Sequence, residues 1–251
     1  MSYHRVTVRV PATTANLGPG FDCLGLALGM WNTVRLEIGP PGVAISGEGA
    51  DSLSRGEDNL VLRAIAAAFQ EAALPMPRLR LRCHNTIPLG RGLGSSAAAV
   101  VGGLVAANTL CGEPLGQQAL LRLATSLEGH PDNVAAALLG GCCIVVQDGE
   151  RLVTSAVPIP SWLRAVVFIP DTAMPTREAR AVLPPQVSRQ DAVYNMGRVA
   201  LLVNALATGK AEDLRVATQD ALHQPARRRL FPAMERVIQA GLAAGALGAF
   251  L

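Results

Sequence analysis

Hydrophobic and polar positions change period several times along this chain, and each change marks an element. Residues 5–10 read Arg-Val-Thr-Val-Arg-Val, a period of two that sets Val6, Val8 and Val10 on one face of a strand. Pro11 is expected to stop it and to open a loop over 11–22. Residues 24–28 and 32–38 read as two further strands, the second amphipathic, and 43–46 as a short one after the turn Gly39-Pro40-Pro41-Gly42. The period then becomes helical. Over 59–73, Leu60, Ile65 and Phe69 fall on or near one face, with Asp58 or Asn59 as N-cap. Pro75 and Pro77 break this helix, and alternating arginine and leucine predict a strand over 78–85 with one wet side.

Helices are predicted over 97–110 and 116–128 and, after a sharp turn at His130-Pro131-Asp132-Asn133, over 134–139. Apolar runs predict strands at 142–147 and 164–169, the latter bounded by Pro160 and Pro170. Helical patterns return at 190–208, 211–222 and 231–244, with a break at 223–227, and 248–251 read as the start of a strand. Two prolines and a change of pattern between 152 and 162 divide the chain into 1–157 and 158–251.

Composition narrows the function classes. Half of the 251 residues are hydrophobic and 16% are charged, enough for a sizeable core. A net charge of +3 with no concentrated basic stripe gives no reason to expect nucleic acid. The longest apolar run, 134–146, is too short to span a bilayer, and Arg5 and Arg9 interrupt any signal-peptide core. The five cysteines (Cys23, Cys83, Cys111, Cys142, Cys143) are odd in number and lack CxxC spacing, which suits reduced thiols in a cytoplasmic protein.

The densest chemistry lies between the 78–85 strand and the 97–110 helix. Pro88, Leu89, Gly90, Arg91, Gly92, Leu93, Gly94, Ser95, Ser96 and Ala97 put three glycines into five residues and two serines where an N-cap belongs. Such a loop turns its N–H groups into one concavity at the positive end of a helix, a phosphate cradle. It is not a Walker A motif, having no Gly-Lys-Ser/Thr, nor a Rossmann fingerprint. Phosphate charge must then be met by backbone N–H groups, the helix dipole, Arg91 and a divalent metal. Ser96 and Glu128 are candidate oxygen ligands for magnesium. Asn16 and Asp22, in the 11–22 loop, have two readings: Asx bonds to their own backbone, or substrate recognition.

Taken together, four stretches in order resemble the GHMP kinases: Pro11-Ala12-Thr13-Thr14-Ala15-Asn16-Leu17-Gly18-Pro19-Gly20-Phe21-Asp22, the 88–97 loop, Glu128-Gly129-His130-Pro131-Asp132-Asn133-Val134, and His223-Gln224-Pro225-Ala226-Arg227. Within that family the first, third and fourth are most similar to the homoserine kinases. The resemblance implies an α+β, two-domain fold: an N-terminal mixed α/β ATP-binding domain and a C-terminal ferredoxin-like domain, incomplete here, with the site in the cleft between them. It implies a phosphotransferase of threonine biosynthesis that moves the ATP γ-phosphoryl group to the hydroxyl of L-homoserine, with Mg2+. The partners implied are ATP and L-homoserine, with no nucleic acid and no membrane, and a homodimer is left open.

Homoserine is a zwitterion with one hydroxyl. Asp22 suits its ammonium, and Arg180 and Arg227 suit its carboxylate as planar forks. Asn16, Asn133, His130 and Thr176 complete the expected substrate set, and Thr176 also reads as a helix cap one turn before Arg180. Asp132 and Asn133 are the candidate catalytic residues. Asp132 is the motif's carboxylate able to accept the hydroxyl proton; the other route has no side-chain base, the proton passing to the γ-phosphate. The family continues past Leu251 into Ser-Gly-Ser-Gly-Pro-Thr, so a C-terminal truncation is expected. The alternatives are another small-molecule GHMP kinase, mevalonate-kinase-like, and a non-catalytic nucleotide-binding fragment.

Overall fold

The computed structural model describes residues 3–171 and 174–251. Two long strands, β1 (Arg5–Asn16) and β2 (Gly20–Ile38), pair antiparallel and form the spine of the sheet. β2 also pairs antiparallel with β4 (Leu79–Asn85) along Thr33–Ile38 and with β5 (Cys142–Asp148) along Leu24–Leu26. β3 (Gly42–Gly47) lies parallel to β4, and β6 (Arg151–Val157) closes a hairpin with β5. The alternation in the sequence sets the faces: Val6, Val10, Val34, Leu36, Leu81 and Cys83 are buried, while Arg5, Arg82 and His84 face out.

Helices α1 (Leu60–Glu71), α2 (Ser95–Leu110), α3 (Gln117–Glu128) and α4 (Asp132–Leu139) cover the inner face. Asn59 caps α1 by accepting from the N–H groups of Val61 and Leu62. α2 is gripped on two sides. A Cβ on Gly102 would lie 2.7 Å from Val34 Cγ2, and one on Gly103 would lie 2.6 Å from Val61 O, so only glycine lets this helix approach both the sheet and α1. Its N-terminus is thereby fixed.

Residues 158–251 contribute α5 (Thr176–Ala181), α6 (Arg189–Thr208), a 3-10 turn (Ala211–Asp213), α7 (Leu214–Ala217), α8 (Gln224–Arg227) and α9 (Met234–Ala243). α6 and α7 join Leu17, Leu24, Cys142 and Val157 in a second apolar cluster, which seats the β1–β2 corner on this half of the chain. No helix among the described residues is long and apolar enough to cross a membrane.

Several elements differ from their sequence reading. Pro11 does not end β1; a register shift between Pro11 and Ala12 absorbs the missing N–H, and a second falls at Ala15/Asn16. The strands expected at 24–28 and 32–38 are one strand, β2. β6, absent from the pattern analysis, forms because the Asp148-Gly149 turn folds it onto β5. Residues 164–169 form no strand, and neither do 248–251, because no strand among the described residues lies beside them to complete a ladder. Val166 and Phe168 are exposed, whereas Phe250 packs on the second cluster and Leu251 N–H donates to Gln224 Oε1 at 2.7 Å. The helix expected over 211–222 stops early. Asp220 accepts from the N–H groups of Leu222, His223 and Gln224 and starts a new turn, α8.

Candidate active site

The glycine-rich loop owes its shape to left-handed glycines at alternate positions, Gly90, Gly92 and Gly94, with φ of 64°, 70° and 65°. Such alternation makes a concavity of N–H groups. No backbone N–H from Leu89 to Ala97 donates to a protein acceptor among the described residues. The cap of α2 is Gly94, not a serine; Ser95 and Ser96 are the first two helical residues and make no capping bond. The reason is steric. A Cβ on Gly94 would fall 1.9 Å from Thr13 Oγ1, so a side chain there has no room. Thr13 ties the loop to its surroundings: its N–H donates to Leu93 O at 3.0 Å and its hydroxyl to Asn133 Oδ1 at 2.8 Å. Arg91, proposed from sequence to offset phosphate, lies with Nη2 2.5 Å from Asp171 O, and Met174 N–H donates to Gly90 O.

Freed from capping, Ser96 donates its hydroxyl to Glu128 Oε2 at 2.6 Å across the α2 and α3 termini. These two oxygens adjoin the N–H concavity and are hard donors of the kind magnesium prefers. Among the described residues no group of three or more His, Cys, Asp or Glu side chains is arranged to hold a metal. A magnesium ion here would thus rest on one hydroxyl, one carboxylate, phosphate and water. Burial raises the Glu128 carboxyl above its ordinary range, against the lowering pull of Ser96 and His130.

His130 lies between two carboxylates, with Nδ1 2.7 Å from Asp132 Oδ1 and Nε2 3.8 Å from Glu128 Oε1. Burial opposes its positive charge, but the bond to Asp132 and both carboxylates outweigh that, so its pKa is raised. Asp132 is 2% exposed, and its Oδ1 also accepts the Asn133 N–H at 2.7 Å. Asn133 gives its Oδ1 to Thr13 and leaves Nδ2 3.4 Å from Asp132 Oδ1.

The second cluster is built on the 16–22 corner. Asn16, Leu17 and Asp22 all take positive φ (66°, 48° and 58°), and Asn16 Oδ1 accepts the Asp22 N–H at 3.0 Å. The Asx reading therefore holds for the Asn16 oxygen. Asp22 is aimed by this corner at Arg180 of α5, in a bidentate pair of 3.0 and 2.5 Å. The hydrogen bond to Asp22 raises the Arg180 pKa against the effect of burial. Phe21 offers its ring to both Arg180 and Arg227, whose guanidinium carbons lie 5.5 and 5.7 Å from its centroid. Arg227 is buried, and burial together with Arg180 lowers its pKa. Thr176 is exposed at the first position of α5, where Pro175 and not Thr176 is the N-cap.

Asp22, Arg180 and Arg227 thus converge, as do Ser96, Glu128, His130, Asp132 and Asn133; Arg180 opposes the charge on His130, so the clusters are electrostatic neighbours. Sequence reasoning missed Thr13, Phe21 and a cavity of about 450 Å³ beside the loop, walled by Ile45, Leu53, Asn59, Leu60, Val61, Leu89, Gly90, Ser95 and Ser96. Its mostly apolar walls come from β3, α1 and the loop before it, and nothing in their spacing signals a shared pocket.

Residues 59–141 match the family described as GHMP kinases N terminal domain. The chain is 48% identical over 245 residues to the homoserine kinase of Moorella thermoacetica, covering 97% of this chain and 83% of that one. It is 47% identical over 245 residues to the homoserine kinase of Synechocystis sp., covering 96% and 80%. A crystal structure of homoserine kinase from Cytophaga hutchinsonii superposes with a TM-score of 0.85 at 31% identity, over 99% of this chain and 82% of that one.

Proposed function

We propose that the two neighbouring clusters form one phosphoryl-transfer site, from a plain premise: the chain belongs to the homoserine kinases of the GHMP kinase family. It is an ATP-dependent phosphotransferase that converts the L-homoserine hydroxyl into O-phospho-L-homoserine, a step on the way to threonine. In our reading residues 1–157 form the ATP-binding domain and 158–251 the second domain, and the reaction takes place in the cytoplasm.

The observation that carries the site assignment is the Asp22–Arg180 pair with Arg227 beside it on the Phe21 ring. A carboxylate and two guanidinium groups, both of the latter beside one aromatic ring, match a zwitterionic amino acid. The substrate ammonium displaces Arg180 from Asp22, and its carboxylate takes the two arginines. One internal ion pair is exchanged for two intermolecular ones, so little charge is left unpaired. The side-chain hydroxyl then extends toward Asn133 and His130.

On the nucleotide side, the N–H concavity of 88–97 and the start of α2 receive the phosphates, and the 450 Å³ cavity takes the nucleoside. Ser96 and Glu128 would hold magnesium, which when bound neutralises charge on the phosphates. Asp132 is better suited to orienting His130 and Asn133 than to removing a proton, because its Oδ1 already accepts from both and the residue is closed from solvent. We therefore favour direct transfer of the hydroxyl proton to the γ-phosphate, the acceptor oxygen attacking the γ-phosphorus as ADP leaves. Coupled ATP-consumption assays with L-homoserine, mevalonate and galactose test the reading; turnover with homoserine alone supports it, and turnover with mevalonate alone defeats it.

A further inference from the structure

His223 is 0% exposed, and the substrate reading above gives its ring no task. The ring sits in a chain of hydrogen bonds whose direction chemistry fixes. Gly18 O only accepts, so His223 Nε2, 2.7 Å away, carries the proton. Arg227 only donates, so His223 Nδ1, 3.1 Å from Nη1, is unprotonated and accepts. One face of the imidazole stacks on Phe21 at 5.3 Å. Its backbone is pinned too: Asp220 Oδ2 accepts the His223 N–H, and Asn195 donates both to Asp220 Oδ1 and to Pro19 O. Arg227 Nε donates to Ala179 O at 3.2 Å. Two of the three guanidinium nitrogens are thus held, and Nη2 has no protein acceptor among the described residues.

We propose that His223 is a positioning residue for the acceptor: as the neutral Nε2–H tautomer it fixes the rotation of Arg227 and locks that arginine to the corner that carries Asp22. The inference rests on the reading that Arg227 receives the substrate carboxylate. Three charged groups face the ring: Asp220, whose Oδ2 lies 3.6 Å from Nε2, Arg227, and Asp22 from the 16–22 corner. Burial, with Arg227 in support, lowers the ring's pKa against the pull of the two carboxylates and keeps it neutral. Protonation at Nδ1 would remove the acceptor and set two cations face to face.

Two substitutions separate the ring's two bonds. His223→Asn retains an oxygen near Nδ1, whereas His223→Gln retains an N–H near Nε2 and loses the acceptor for Arg227. His223→Gln is expected to raise the homoserine KM roughly 10- to 100-fold, the range for a hydrogen bond to a charged group, with His223→Asn smaller. The ATP KM and kcat should stay within about threefold, and in an Arg227→Ala background His223→Gln should cost less than about twofold more. Equal losses in both backgrounds, or a fall in kcat at unchanged KM, would overturn the proposal. Should the variants fold poorly, nitrogen NMR of the histidine rings in the wild-type protein decides. A neutral Nε2–H ring for His223 at about pH 7 is expected, and an Nδ1–H ring or an imidazolium refutes it. That readout needs no acceptor, so it separates failure here from failure of the homoserine reading, which would show as no homoserine-dependent ATP turnover in the wild type.

Discussion

Gly94→Ala probes the joint on which the proposed phosphate cradle hangs. The new Cβ would fall 1.9 Å from Thr13 Oγ1 and 3.3 Å from Asn133 Oδ1, and contacts below 3.0 Å do not persist. Thr13 must therefore move by at least about an ångström. Its buried hydroxyl then loses Asn133, at a cost of about 1–3 kcal/mol. Alanine at φ 65° adds roughly 1–2 kcal/mol of left-handed strain. Urea midpoints should fall by the equivalent of about 2–5 kcal/mol, and the ATP KM should rise as Leu93 O loses the Thr13 N–H. Thr13→Ala removes the obstructing oxygen. In that background Gly94→Ala should cost mainly the backbone strain, the Cβ at position 13 and Asn133 Oδ1 lying 3.2 and 3.3 Å away, so the two changes are not additive. An equal increment in both backgrounds, or a cost below about 0.5 kcal/mol, would refute the packing argument.

Asp22→Asn should raise the homoserine KM roughly 10- to 100-fold while leaving the ATP KM within about twofold. Because the Asp22–Arg180 pair is one-third exposed, at 34% on each side, its loss should change stability by less than about 1 kcal/mol; an equal rise in both KM values would point to general unfolding of the cleft. Asp132→Asn should lower kcat only a few-fold in single-turnover assays, and a loss of about 10²–10⁴ would make Asp132 the general base. The metal-free protein should lose thermal stability as pH rises above about 6.5. The His130 pKa is raised above its ordinary 6.5, so its contribution is complete below that value and is lost as pH rises through the folded one. His130→Gln should flatten that slope, and a slope unchanged by the substitution would contradict the assigned shift.

Elements with one clear period were legible: the alternating valines of β1 and the Leu60–Phe69 stripe of α1 lie where the pattern puts them, and the break at His130-Pro131 does too, although α4 begins at Asp132, two residues before the expected start. Elements that depend on a neighbour were not. Arg164–Ile169 has a strand-like sequence, yet without an adjacent ladder it stays open, and β6 exists because β5 is beside it. The candidate site follows the same rule. The glycine loop and Asp22 were visible because turn-forming or charged residues stand out among apolar neighbours, whereas Arg180 and Arg227, two of 22 basic residues, were picked out by the family resemblance alone. Thr13 was not, because its role rests on the missing Cβ of Gly94, 81 positions away in sequence. The Ser96 role was partly visible, but the cap belongs to Gly94, and this frees the Ser96 hydroxyl to meet Glu128.

If this cleft transfers phosphate to the hydroxyl of homoserine, phosphorus NMR of the product made from ATP, magnesium and L-homoserine will show a phosphomonoester signal split by two adjacent methylene protons, formed with one ADP per ester. Inorganic phosphate alone, or an acyl phosphate on the carboxylate, would contradict that transfer.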